Sequence, residues 1–153
     1  MILTHHFSWD EVTFSDYAER NNIDNTPPES LHENILKQAH LMESVREILG
    51  KPIHVSSWFR CDEVNKGIGG AALSAHRYGL ATDFISRLFG PPLGVCLALE
   101  PHLKALGVDQ LIHEFGKWTH IALPLPGALP RYETLTAKKI NGKTIYVRGL
   151  EAI

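Results

Sequence analysis

In Ser74-Ala-His76-Arg-Tyr-Gly79-Leu-Ala81-Thr-Asp83-Phe-Ile85 a turn gives way to a strand. Gly79 permits a tight or left-handed turn, and from Leu80 to Ile85 the residues alternate so that Ala81, Asp83 and Ile85 share one face. Further along, Trp118-Thr-His-Ile-Ala-Leu123 alternates in the same way and puts Trp118, His120 and Ala122 together. Two such strands side by side aim Asp83 and His120 at one point, with His76 on the turn just before. A catalytic zinc ion takes three protein ligands from His, Asp, Glu or Cys and leaves a fourth position to water. His76, Asp83 and His120 are therefore the candidate metal ligands, Ala81 leaves room beside them, and Glu114 is a spare acid on the preceding strand.

The elements around this pair read as a mixed chain. Ser8 and Ser15 each cap a short helix, and Ser8-Trp-Asp-Glu11 has the spacing of a capping box. From Pro27 or Pro28 to Leu49 the apolar positions Leu31, Ile35, Met42, Val45 and Leu49 recur at helical spacing, with Gly50 as the stop. A strand over Ile53 to Phe59 leads to a short helix around Asp62 to Lys66. Pro91 or Pro92 opens a helix ending near Leu106-Gly107, followed by strands near Gln110 to Glu114 and Trp118 to Leu123. Gly69-Gly70 make a turn; they lack the spacing and following helix of a phosphate loop. The Pro124 to Pro130 stretch breaks regular structure, and Lys138 to Val147 signals a hairpin through its Asn141-Gly142 turn. The expected fold is α+β: a small, mainly antiparallel sheet carrying the metal, helices packed on one side, and a C-terminal hairpin covering a sheet edge.

Composition sets the outer bounds. With 153 residues, 44% apolar and 21% charged, the chain fits one catalytic domain over 1–153 with its own core. A formal charge of −2 without a basic cluster argues against a nucleic-acid partner. Cys61 and Cys96 have no paired metal-ligand spacing and read as free thiols of a protein made in a reducing compartment. The start Met1-Ile-Leu-Thr-His-His-Phe lacks the basic and apolar regions of a secretory signal, and no run is long enough to insert in a membrane. Synthesis in the cytoplasm without a signal peptide is the expectation.

The pattern His76-x-x-Gly79-x-Ala81-x-Asp83 with Ser74 ahead of it, the stretch Ser56-Ser-Trp-Phe-Arg60-Cys-Asp-Glu-Val-Asn65 with Gly69-Gly70, and Glu114-Phe-Gly-Lys-Trp118-Thr-His120 together resemble the zinc D-Ala-D-Ala carboxypeptidase family. That family includes bacteriophage endopeptidases that cut peptidoglycan stem peptides. The resemblance runs from about Phe7 to about Leu123 and rests on three motifs in order.

What the resemblance implies can be assigned by position. His76, Asp83 and His120 match the ligands of one catalytic Zn²⁺, Arg60 an arginine that receives the substrate's carboxylate, and Glu114 the general base. Ser74 is placed to donate to the substrate backbone. Other branches set the base nearer the last metal histidine, whereas here Phe115, Gly116 and Lys117 intervene. His113 competes for the role, but alternation through Gln110 to Glu114 turns it to the opposite face. The implied activity is hydrolysis of a peptidoglycan stem peptide, by a D,D-carboxypeptidase or an endolysin-like endopeptidase, through attack of zinc-bound water on the scissile carbonyl. A cell-wall substrate and a cytoplasmic origin are reconciled if the protein is a phage lysin released when another protein opens the membrane, or if it acts on recycled wall peptides. Two other readings use the same residues: a catalytically silent phage structural or binding protein that keeps the fold, and a mononuclear iron oxygenase, since two histidines and a carboxylate also suit Fe(II). Iron oxygenases usually set the carboxylate two residues after the first histidine; Asp83 follows His76 by seven.

Overall fold

Serine caps start the chain's first helices. In the computed structural model, which describes residues 1–153, Ser8 and Glu11 close a reciprocal capping box on α1 (Trp9–Thr13), and Ser15 caps α2 (Asp16–Arg20). A 3₁₀ turn over Glu29–Leu31 feeds α3 (His32–Leu49), which ends on Gly50 in the left-handed conformation. Strand β1 (His54–Ser57) is followed by α4 (Asp62–Gly67), a 3₁₀ turn over Ala75–Tyr78 and β2 (Ala81–Ile85). The helix expected to run from Pro91 or Pro92 to Leu106 is broken instead. It forms α5 (Pro92–Leu99), a 3₁₀ turn over Glu100–His102 and α6 (Leu103–Leu106). Pro101 lies in that middle turn, where its ring removes an N–H and disfavours a continuous helix.

The remaining strands are β3 (Gln110–Glu114), β4 (Trp118–Ala122), β5 (Glu133–Ile140) and β6 (Lys143–Arg148). They complete a six-stranded sheet in the order β1-β2-β4-β3-β5-β6. All neighbours pair antiparallel except β3 and β5, which run parallel. The fold is thus α+β with a mainly antiparallel sheet, as expected. The hairpin strand β5 begins earlier than its turn signal suggested, and the hairpin covers what would otherwise be the outer edge of the sheet at β3.

Helices α3 and α5 cover one face of this sheet. Gln38 of α3 is fully buried and donates to Thr82 Oγ1 and the Ile121 carbonyl at 3.1 Å each. Cys96 of α5 meets Thr119 at 3.5 Å. Because strand side chains alternate, Thr82, Phe84, Leu111, Thr119 and Ile121 face these helices, whereas Asp83, Ile112, Glu114, Trp118 and His120 face the other way. Ile35, Met42, Val45, Trp58, Phe84, Leu99, Leu111 and Ile121 are among the fully buried members of the main core cluster, and they hold the sheet from behind. Cys61 and Cys96 are both free. No helix is long and apolar enough to cross a membrane.

Candidate metal centre

The register of β2 against β4 pairs Asp83 directly with His120. His76 reaches the same point from the 3₁₀ turn over Ala75–Tyr78, and three features fix that turn. Ser74 Oγ accepts from the His76 backbone N–H at 3.3 Å, Gly79 ends the turn at φ +72°, and the Arg60 N–H donates to the His76 carbonyl at 3.0 Å. A β-carbon on Gly79 would also stand 2.5 Å from Ile35 Cγ1, so glycine is required there on two counts. The carbonyl of that residue accepts from Trp58 Nε1 at 3.0 Å.

Trp58 also orients the first imidazole. Its backbone carbonyl lies 2.6 Å from His76 Nδ1, which directs His76 Nε2 inward to within 3.2 Å of Asp83 Oδ1. From the other side His120 Nδ1 lies 2.8 Å from the same Oδ1. His76, Asp83 and His120 are all buried, and each offers a donor atom within 4.8 Å of the others. Two imidazole nitrogens and a carboxylate oxygen converging this tightly form a donor set suited to zinc, with room for a further ligand on the open side.

The electrostatics follow from burial and proximity. Burial, with the Arg60 charge, outweighs the pull of Asp83 and lowers the His76 pKa, which favours the neutral ring that can ligate a metal. Burial works in the same direction on His120, but its hydrogen bond to Asp83, with the charges of Asp83 and Glu114, reverses the sign and raises it. Burial would raise Asp83; the charges and hydrogen bonds of His76 and His120 prevail and hold its carboxyl well below the ordinary range.

Glu114 stands beside this group. Phe115 and Gly116 both take positive φ, +58° and +69°, and Lys117 N–H donates to the Glu114 carbonyl at 2.9 Å, so a primed-type turn over Glu114 to Lys117 shapes a three-residue hairpin loop. That turn pairs Glu114 with Trp118 and brings Glu114 Oε1 to 3.7 Å from His120 Nδ1. Burial first, and repulsion from Asp83 second, push its pKa up to about 7 against the opposing pull of His120 and Arg60. Trp118 Nε1 is buried without a partner in normal hydrogen-bond geometry, yet it is near enough to favour the charged form of Glu114. His113 points the other way and its Nδ1 meets the Glu151 carbonyl at 3.0 Å, far from this chemistry.

Arg60 and Ser74 line the same cleft, whose volume is about 640 Å³. Arg60 donates from Nε to Ser57 Oγ and from Nη2 to Asp83 Oδ2, both at 3.1 Å. It therefore orients Asp83 as well as facing the cleft, a second role that its sequence position did not reveal. Leu135 of β5, Tyr146 of β6 and Leu129 of the loop before β5 also line it; no local motif marks them, and the two strand residues arrive through a distant strand pairing.

Among known protein families, Peptidase M15 matches this chain over residues 5–122. A search of curated proteins gives no match.

Proposed function

Since the chain belongs to the M15 peptidase family, whose members are zinc-dependent, we propose that it hydrolyses peptidoglycan stem peptides, as a D,D-carboxypeptidase or an endolysin-like endopeptidase. The observation that carries the hydrolytic part is the convergence of His76, Asp83 and His120 beside the half-buried acid Glu114. In this reading the three residues hold the zinc. When bound, zinc supplies Lewis acidity toward water and toward the scissile carbonyl.

The chain's own groups supply the rest. Glu114, 3.7 Å from His120 Nδ1, takes a proton from the attacking water at Oε1 and returns it to the leaving amine. Arg60 offers a planar fork to the substrate's free carboxylate, or to the side-chain carboxylate of a D-glutamate in the stem. Ser74 accepts from the His76 N–H, which leaves its hydroxyl proton for a substrate carbonyl. Burial of His76, Asp83 and His120 limits competing water and strengthens each interaction there.

Mass spectrometry of defined stem peptides incubated with the zinc-loaded protein, with and without a chelator, tests the proposal. Loss of one terminal alanine marks the carboxypeptidase, and an internal cut the endopeptidase. An intact substrate in zinc-replete buffer overturns the hydrolytic reading.

A further inference from the structure

The C-terminal hairpin does more than cover an edge. Residues 5–122 carry the family match, yet the cleft that holds the metal-binding group is walled in part by Leu129, Leu135 and Tyr146 from beyond it. Strand register explains how. Ile112 of β3 lies opposite Leu135 of β5, and Glu114 lies opposite Ala137, which in turn lies opposite Tyr146 of β6. Leu135, Ala137 and Tyr146 therefore share the sheet face of Asp83, His120 and Glu114. Ala137 is fully buried and short, so nothing tall stands on β5 between Glu114 and the phenol ring. Tyr146 itself is 54% exposed and Leu129 85% exposed, large apolar surfaces left open to the cleft. On the reverse face the hairpin is tied down instead: Thr136 Oγ1 donates to the Gly149 carbonyl at 2.8 Å and accepts from the Glu151 N–H at 3.0 Å.

A row of groups thus crosses the sheet, from Arg60 past Asp83, His120 and Glu114 to Tyr146. Two strand steps separate Glu114 from Tyr146, roughly 10 Å, which an extended peptide spans in about three residues. With Arg60 at the opposite end for the carboxylate of the leaving side, the Tyr146 end falls to the acyl side of the scissile bond.

We propose that Tyr146 and Leu135 form a specificity subsite for the acyl side of the substrate, selecting peptides extended by about three residues beyond the cleaved bond and holding the alkyl stem of a side chain against the Tyr146 ring. The inference rests on the peptidase reading above. It names the substrate class as N-extended peptides rather than isolated terminal dipeptides. Remote contacts of this kind raise kcat/KM for the longer substrate.

The test compares two peptides, acetyl-D-Ala-D-Ala and the pentapeptide L-Ala-D-Glu-L-Lys-D-Ala-D-Ala, on zinc-loaded wild type, Tyr146→Ala and Tyr146→Phe, with calorimetric binding of each peptide measured alongside turnover. In Tyr146→Ala the ratio of kcat/KM for the longer over the shorter peptide falls on the order of tenfold, and pentapeptide affinity falls with it. Tyr146→Phe keeps the ratio within about twofold, since the ring makes the contact. An equal loss on both peptides, or no change in the ratio, overturns the subsite while leaving the hydrolase reading intact. Pentapeptide binding that depends on Tyr146 without any cleavage by the wild type overturns the hydrolase reading and, with it, the assignment of this contact to the acyl side of a scissile bond. Wild-type binding no tighter for the pentapeptide than for the dipeptide overturns the subsite whatever the turnover.

Discussion

Asp83 and His120 face each other as partners across β2 and β4, and Asp83 Oδ1 lies 2.8 Å from His120 Nδ1 while its Oδ2 accepts from Arg60. One carboxylate therefore joins both imidazoles to the guanidinium. Asp83→Asn is expected to lower zinc affinity by more than the ~10–100-fold that follows loss of an outer hydrogen-bond partner, whereas Glu114→Gln keeps zinc at one per chain and loses turnover. Metal content after dialysis, measured beside activity, checks both; loss of zinc from Glu114→Gln would reassign that residue to the ligands.

Chelation should be visible in stability as well as in rate. Zinc that binds only the folded chain adds about 2.7 kcal/mol at a free concentration 100 times its Kd. Thermal unfolding with and without chelator is expected to show a lower Tm for the stripped protein, with the Asp83→Asn variant insensitive to the same treatment.

The acid has its own pH signature in the metal-free protein. Folding raises the Glu114 pKa from 4.5 to about 7, so the folded state binds its proton more tightly than the unfolded chain. The penalty for ionising it is absent at low pH, grows as pH rises from about 4.5, and is complete above about 7. Metal-free Glu114→Gln should therefore gain Tm over the metal-free wild type at pH 8 and lose most of that advantage by pH 4.5. A Tm difference that is the same at both pH values would show that Glu114 titrates normally.

Gly79 fixes where His76 points. Alanine there must adopt φ +72° and bring its β-carbon to 2.5 Å from Ile35 Cγ1. Left-handed backbone costs a non-glycine residue roughly 1–2 kcal/mol, and the clash with a buried side chain adds to it. Gly79→Ala is expected to destabilise by about 2–4 kcal/mol in denaturant unfolding and to weaken zinc binding, because the turn that aims His76 is displaced.

Arg60 is held by Ser57 and Asp83 in a fixed fork. Arg60→Lys keeps the charge and loses the planar geometry, so a fall in kcat/KM of about 100-fold, with zinc retained, is expected from steady-state kinetics. A matching loss of zinc would mean that Arg60 acts only through Asp83.

Much of this arrangement is legible in local sequence because its devices have short periods. Alternation places Asp83 and His120 on shared faces, Ser8-x-x-Glu11 writes its own cap, and Gly50 marks the end of α3. Other parts are local but read past. Pro101 interrupts an apolar run that otherwise suggests one helix, and Phe115 takes a left-handed conformation that its residue type does not advertise. The Trp58 carbonyl that orients His76 belongs to the backbone, which no side-chain motif records. The placement of Tyr146 depends on β5 choosing β3 as a parallel neighbour, a pairing between distant segments that nothing in either strand announces.

That parallel pairing has a practical corollary for anyone trimming the gene. Cutting the chain where the family match stops would retain His76, Asp83, Glu114 and His120 but strip β3 of its β5 neighbour. The strand bearing the acid would then present a bare row of amide and carbonyl groups, the kind of border that sticks to its own copies. The shortest well-behaved expression fragment is therefore expected to end after Glu151, whose backbone seals Thr136 and His113 from behind, and not at His120.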